Sequence, residues 1–352
     1  MKADPPPSFA ARVVICYAAG LLFLLILALL WFAGSVVLLA FASVLVAVLI
    51  NDAVNLLQRL PHLRRGMALG LVLVLVAGLL SLAVWLLAPS IASQAQQLAD
   101  DLPRSLERVR DYFATHPQFS QILPNPPDAQ QILQHTSQLL ARAGGLFSGV
   151  LGVVGNFFVV VFVAVYLAGN PRLYTDGILK LVPPTHRRRG RQVIDEIGET
   201  LSLWLRGKLL SMLLIGIATA IGLGLLGVPL ALVLGFLTGL LDFIPYIGPI
   251  LAAVPAVLIA FTTSPGLALS VVILFVGLQM AESYLLQPLV ERKTVSMPPG
   301  LTILMQVVMG LSFGLAGIAL ATPLTAVVVV LITMLYVQDV LDDEATLPSQ
   351  SE

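Results

Sequence analysis

Long apolar runs follow one another along this chain, and the charged positions collect at the joints between them. The first run, Val13 to Ile50, contains no charged residue. A membrane-crossing helix needs about 20 apolar residues, whereas the apolar part of a cleavable leader spans about 7 to 15. The run therefore predicts a retained hairpin of two crossings, hinged near Gly34-Ser35. A third helix ends near residue 88, and the runs 146–168, 209–226 and 267–286 each predict one further crossing.

Two more runs, 230–262 and 301–337, are apolar but interrupted. In the first, Leu241-Asp-Phe-Ile-Pro-Tyr-Ile-Gly-Pro249 places a carboxylate, two prolines and a glycine mid-run. It leaves about a dozen residues on each side to continue as helix, short of a bilayer core of roughly 30 Å at about 1.5 Å per residue. In the second, Thr322-Pro323 and Thr325 predict a break within Gly314–Ala326. A helix broken at membrane depth is tolerated only where protein or a watery cavity satisfies the freed backbone groups.

Amphipathic patterns fill two of the joints. Ile91, Ala95, Leu98, Leu102, Leu106, Val109 and Phe113 recur at threes and fours, as one helical face requires. Pro103 interrupts that face, and Pro124-Asn-Pro-Pro127 turns the chain towards a second amphipathic stretch through Ile132, Leu133, Leu139 and Leu140. Behind Arg187-Arg-Arg-Gly-Arg191, the positions Val193, Ile194, Ile197, Leu201 and Leu205 predict an amphipathic helix lying on the membrane face, with the basic residues as orientation anchors.

Composition turns these patterns into a class. Of 352 residues, 58% are hydrophobic and 11% charged, against about 25% charged in soluble domains, which makes this an all-α integral membrane protein. About six full crossings plus two broken or re-entrant hairpins, with an external helical segment, are expected. A net charge of zero gives no reason to expect a nucleic-acid partner. The one cysteine, Cys16, excludes an intrachain disulfide framework.

Charge placement sets the topology. Lys2, Arg12, Arg59, Arg64, Arg65, the group from Arg172 to Lys208, and Arg292 with Lys293 all fall on one side if the runs alternate, and the positive-inside rule makes that side the cytoplasm. Both termini are then cytoplasmic and 89–145 external. The run 230–262 enters from outside after helix 209–226, and 301–337 enters from inside after helix 267–286. Helix followed by broken hairpin thus occurs twice with opposite orientation, the hydropathy signature of inverted repeats whose broken segments form a transport site. The expected divisions are a tail 1–12, membrane helices 13–88, the external segment 89–145, helix plus amphipathic helix 146–208, a transport core 209–337 and a tail 338–352.

Candidate chemistry lies in the polar groups within the runs. Asp242 would cost about 2.5 to 3.5 kcal/mol at mid-membrane, so it is a functional candidate, with capping of the second arm or fixing of the turn as the alternative. Glu282, with Gln279 one turn before it, is either part of the pathway or paired with Arg292 or Lys293. Hydroxyls and freed carbonyls at Thr322, Pro323 and Thr325 could bind a cation or polar solute, or serve hairpin packing alone. The GxxxG pairs Gly235/Gly239 and Gly310/Gly314 predict close helix approach, and Asn156 and Asn170 predict caps or interfacial positions.

Enzyme motifs fall away. Gly222-Leu-Gly224-Leu-Leu-Gly227 ends a membrane helix instead of joining a strand to one, and Gly207-Lys208 lacks the first glycine and the hydroxyl residue of a P-loop. His62, His116, His135 and His186 show no metal-ligand spacing, and an aspartyl protease would need a second intramembrane aspartate. No cofactor, metal or enzymatic activity is expected.

Three motifs together resemble the autoinducer-2 exporter family of bacterial permeases: Asp242-Phe-Ile-Pro-Tyr-Ile-Gly-Pro249, Gln279-x-x-Glu282 with Leu286-Gln-Pro288, and Gly314-x-x-Gly317-x-x-Leu-Ala-x-Pro323-Leu-x-Ala326. The resemblance covers nearly the whole chain. It implies a multi-pass inner-membrane permease, a homo-oligomer, exporting a small solute such as the furanose-type quorum signal, or a sodium or lithium/proton antiporter. The sequence departs from the pattern at Ser283-Tyr284, where Gly-Asn often follows the glutamate, and at Leu289-Val-Glu291. The expected pathway residues are Asp242, Pro245, Tyr246, Gly248, Pro249, Gln279, Glu282, Thr322, Pro323 and Thr325, working by alternating access without an ATPase. The expected partners are the solute or ion and the lipid bilayer. An oligomeric scaffold that recruits partners through 89–145 is the reading from a different class.

Overall fold

In hydrocarbon each backbone N–H and C=O must find its partner within the chain, which leaves the helix as the default for every apolar run here. A computed structural model of the chain describes residues 34–59, 63–78, 146–286 (backbone alone for 146–154) and 298–341, with eight single positions between 81 and 108. All regular structure among the described residues is helical. Residues 1–33, most of 89–145, the stretch 287–297 with Pro288, Arg292 and Lys293, and 342–352 lie outside them.

The helices are α1 (Gly34–Leu57), α2 (Arg65–Gly78), α3 (Leu146–Gly169), α4 (Pro171–Lys180), α5 (Arg187–Leu225), α6 (Ala231–Leu241), α7 (Ile247–Thr263), α8 (Pro265–Ala281) and α9 (Pro299–Ile332). Wider-pitched turns continue α8 through Glu282–Leu286 and α9 through Thr333–Gln338. Four described helices are by length and composition able to cross a membrane, α9 among them although it is folded at Gly314, and five if α3 and α4, which meet at 85°, count as one bent span.

The expected surface helix after Arg187 is instead the start of α5, 39 residues long and about 58 Å at the usual rise. No proline occurs between Arg187 and Val228, so nothing stops the ladder of hydrogen bonds at the membrane boundary. Its apolar face is covered by protein: Val193 packs with Val330 and Met334, and Leu201, Trp204 and Leu205 pack with Leu45 of α1. Ser202 and Arg206 meet Asp52 there, at 2.7 Å for Ser202 Oγ to Oδ2 and 2.7 Å for Arg206 Nη2 to Oδ1. This marks the basic end of the bundle.

The first broken hairpin is α6 and α7, 11 and 17 residues long, joined by Asp242–Tyr246. Tyr246 holds φ 65° and ψ −53°, and the Ile247 N–H reaches back to the Pro245 carbonyl at 2.8 Å, a γ-turn of the rare, strained hand. Gly235 and Gly239 let α6 lie directly on α5: a Cβ on Gly239 would sit 2.7 Å from the Met212 carbonyl and 3.0 Å from Gly216. The GxxxG expectation holds at this pair. It holds at Gly310 too, where a Cβ would sit 2.7 Å from Ile318 of the returning arm, whereas Gly314 is itself the second reversal, with φ 63° and ψ −146°.

That location corrects the expected break at Thr322-Pro323. Beyond Gly314 the chain doubles back, so that Gly317 faces the Met309 carbonyl and Leu320, Ala321 and Leu324 pack in one cluster with Met305 and Met309. Pro323 lies inside the return arm, which stays helical, and Thr325 donates to the Ala321 carbonyl at 2.7 Å. A proline removes one helical donor, but reversing the chain needs a left-handed residue, and that demand falls on glycine.

The two hairpins enter from opposite ends. Phe313, beside the second reversal, packs on Gly34 at the end of α1 away from Asp52, whereas the first reversal lies alongside α5 close to the basic end. Long polar side chains cap the bases of both hairpins. Arg108 donates to the Thr262 carbonyl at 3.0 Å, and Gln94 accepts from the Val233 N–H at 3.2 Å. At the other end Arg189 donates to the Met334 carbonyl at 2.8 Å and pairs with Asp339 at 2.9 Å. Asn170, expected as a cap, precedes α4 without a capping side-chain bond.

Each reversal carries a glycine whose added methyl would run into the carbonyl of the opposite arm, Gly248 against Leu241 and Gly317 against Met309. Gly248→Ala and Gly317→Ala should each cost about 3 kcal/mol, because backbone cannot step aside as a side chain can. Gly277→Ala, which meets nothing within 4 Å, should be neutral or slightly stabilising. Unfolding midpoints in detergent test the contrast.

Candidate functional site

Three elements converge on one polar cluster. On α5, Lys208 and Ser211 lie three residues apart and so share a helical face, just where the apolar run begins. Gln279 and Glu282 share a face in the same way at the end of α8. The first reversal delivers Asp242 between them, the residue fully buried.

Lys208 Nζ lies 3.0 Å from Asp242 Oδ2 and 3.4 Å from Glu282 Oε1. Gln279 Nε2 donates to Glu282 Oε2 at 3.1 Å. Ser211 Oγ is 3.1 Å from Asp242 Oδ2 and 3.0 Å from Glu282 Oε1. A serine hydroxyl has one proton to give, so it satisfies one carboxylate, and the second contact is completed only by a proton carried on the other carboxyl. Asp242 Oδ1 is buried without a partner. Two acids share one ammonium here, in a place where burying charge is costly unless it is paired. The cluster therefore has room, electrically and in hydrogen bonds, for one further proton or cation.

Beside it lies a small cavity of about 10 Å³, lined by Ile215, Thr219, Thr238, Pro249, Phe275, Leu278, Gln279 and Glu282. That is about the space of one water molecule. The Thr219 hydroxyl is buried without a partner, and the Thr238 hydroxyl is spent on the Leu234 carbonyl at 2.7 Å. From the second hairpin, the fully buried Gln306 donates through Nε2 to the Pro245 carbonyl at 3.0 Å and leaves its own Oε1 unpartnered. The broken hairpins thus touch, the reversal of one against the arm of the other.

Of the residues singled out in the sequence, Asp242, Gln279 and Glu282 come together, Pro249 lines the cavity, and Pro245, Tyr246 and Gly248 shape the reversal. Asp242 does not cap α7, which begins at Ile247 behind Tyr246 without a side-chain cap, so the capping alternative is overturned. Glu282 pairs with Lys208, on another helix; Arg292 and Lys293, its expected alternative partners, lie outside the described residues. Thr322, Pro323 and Thr325 are buried in the return arm of α9 and make no bond to the cluster.

Lys208, Ser211, Thr219 and Gln306 were not among the expected pathway residues. Lys208 reads in sequence as the last charge before an apolar run, and its use was visible only as the question of why a lysine and a serine share one face there. Gln306 stands alone in an apolar run, which is itself a signal for a buried polar role.

Residues 21–336 match the family described as "AI-2E family transporter", and the chain belongs to that family. Among similar proteins, "Putative transport protein YueF" of Bacillus subtilis is 30% identical over 290 residues, 79% of this chain and 78% of its own length. "Putative permease PerM" of Escherichia coli K12 is 27% identical over 335 residues, 92% of both chains. A second Bacillus subtilis relative, YrrI, is 33% identical over 190 residues, covering 53% of this chain and 54% of its own.

If Lys208 balances both acids, Lys208→Met leaves two buried carboxylates facing each other and should cost about 3 kcal/mol. Adding Glu282→Gln should return at least about 1 kcal/mol of that loss. A double-mutant cycle on unfolding in detergent measures it, and strictly additive losses would deny the coupling.

Proposed function

We infer that this transporter-family member works as a secondary permease whose pathway passes through the cluster of Lys208, Ser211, Asp242, Gln279 and Glu282. The observation that carries the reading is a fully buried carboxylate, delivered by a broken hairpin, that shares one ammonium with a second carboxylate. Intramembrane ionisable residues of this kind mark ion and substrate routes. Gln306, bridging the hairpins at Pro245, supports a movement of one hairpin against the other that would open the cluster alternately to either end.

In this reading the solute is a small polar molecule, exported with the family's quorum signal as one member of that class. The chain works as a homo-oligomer in the bacterial inner membrane, with its basic end and both termini in the cytoplasm. It carries out no covalent chemistry, and its work is to exchange protons or cations against the solute. The hydroxyl of Ser211, which can satisfy only one of its two carboxylates, supports proton coupling.

A second reading is cation/proton antiport with no organic solute. The cavity of about 10 Å³ favours it, because that space admits a bare ion or a water and nothing larger in this conformation.

Reconstitution in proteoliposomes tests both. Asp242→Asn and Glu282→Gln, shown to be folded, should each lose most of the flux driven by an imposed proton gradient, and unchanged flux would remove the cluster from the pathway. Proton release driven by a sodium gradient alone would select antiport, and its absence alongside proton-driven solute flux would select the permease.

A further inference from the structure

The elbow at Asn170 turns the chain through 85° between α3 and α4. If α3 crosses the bilayer, α4 therefore lies along its surface. On α4 the residues Leu173, Tyr174, Ile178 and the following Leu181 fall at spacings of one, four and three, which places them on one side of the helix. All four are exposed, with Leu181 at 87%. The opposite side is docked to α5 through Leu179, which is buried against Gly190 with 3.0 Å between its Cδ2 and the position of a Cβ there. A short helix with one face fixed to protein and a greasy face left open suits a lipid surface.

Between α4 and the first turns of α5 lies an open cavity of about 680 Å³, lined by Lys180, Arg187, Arg188 and Arg191 with Asp176 and Asp195. Two of these charges are already committed. Arg191 pairs with Asp176, and Arg187 Nε is held on the Val182 carbonyl at 3.1 Å. The side chains of Lys180 and Arg188 have no partner among the described residues, so the cavity keeps uncompensated positive charge.

We propose that this cavity binds the phosphate headgroup of an anionic phospholipid, with Lys180 and Arg188 contacting the phosphate and the face of Leu173, Ile178 and Leu181 lying against the acyl chains. A soluble phosphate would satisfy the charges but would have no use for the apolar face beside them. The site is separate from the carboxylate cluster and does not depend on what the protein transports. Occupied, it would tie the α3–α4 elbow and the start of α5 to the bilayer surface, and α5 is the helix that carries Lys208 and Ser211.

Binding of phosphatidylglycerol and of phosphatidylcholine to the detergent-solubilised full chain, read by native mass spectrometry, tests this. Phosphatidylglycerol should bind at least about tenfold more tightly, and Lys180→Gln with Arg188→Gln should remove most of that preference. Arg64→Gln, an exposed basic residue outside the cavity, should leave it intact. Arg188→Gln alone, a surface change that leaves the fold in place, should give an intermediate loss. Equal binding of the two lipids, or a preference that survives the double substitution, overturns the proposal. Full displacement of the lipid by inorganic phosphate at similar concentration overturns it in favour of a soluble anion.

Discussion

The ammonium of Lys208, shared between Asp242 and Glu282, is the interaction on which the arrangement of this protein depends. Apolar surface cannot decide where a hairpin reversal stops along a helix, since one leucine contact is much like the next. A carboxylate that would be prohibitively costly unpaired in that surrounding can be accommodated at only one level. Asp242 is held there by α5, Glu282 brings in the end of α8, and the reversal between α6 and α7 is fixed in the third direction by Gln306 on the Pro245 carbonyl. The cluster thus locates three elements and the second hairpin relative to one another.

Around that point the fold is built to permit close approach and little else. Gly235 and Gly239 remove the side chains that would separate α6 from α5, and Gly248 and Gly317 do the same at the two reversals. The strained γ-turn at Tyr246 is kept because its surroundings leave no alternative, with the Pro245 carbonyl accepting from both Ile247 and Gln306. Arginines finish the returning arms at opposite ends of the bundle, Arg108 on Thr262 and Arg189 on Met334. Both bases are therefore anchored, while the first reversal meets the arm of the second hairpin through the single polar contact of Gln306 with Pro245. A hairpin tied at its base and held at its tip by charge is one whose tip responds when the charge changes.

Much of this was legible in the sequence. Hydropathy separated full helices from broken ones, and the prolines around Asp242 located the first reversal, because no continuous helix accommodates them. The order of basic residues gave the opposed orientation of the hairpins. The second reversal was misplaced because proline is a louder signal than glycine, although the backbone reverses through a left-handed residue and a helix in a protein interior absorbs Pro323. Lys208 and Ser211 were passed over for another reason. Their meaning depends on what packs against α5, and long-range pairing leaves no trace in local spacing. The continuous α5 was missed because the change from amphipathic to apolar pattern reads as a boundary, whereas a helix only changes its surroundings there.

Hydrogen exchange across residues 240–248, compared between the unaltered protein and Lys208→Met, tests most directly whether charge holds the reversal. Faster exchange is expected at the reversal and at the end of α8 around Glu282 only, with α5 and α7 retaining their protection. Unchanged protection at the reversal would show that packing alone fixes it and that the shared ammonium of Lys208 does not.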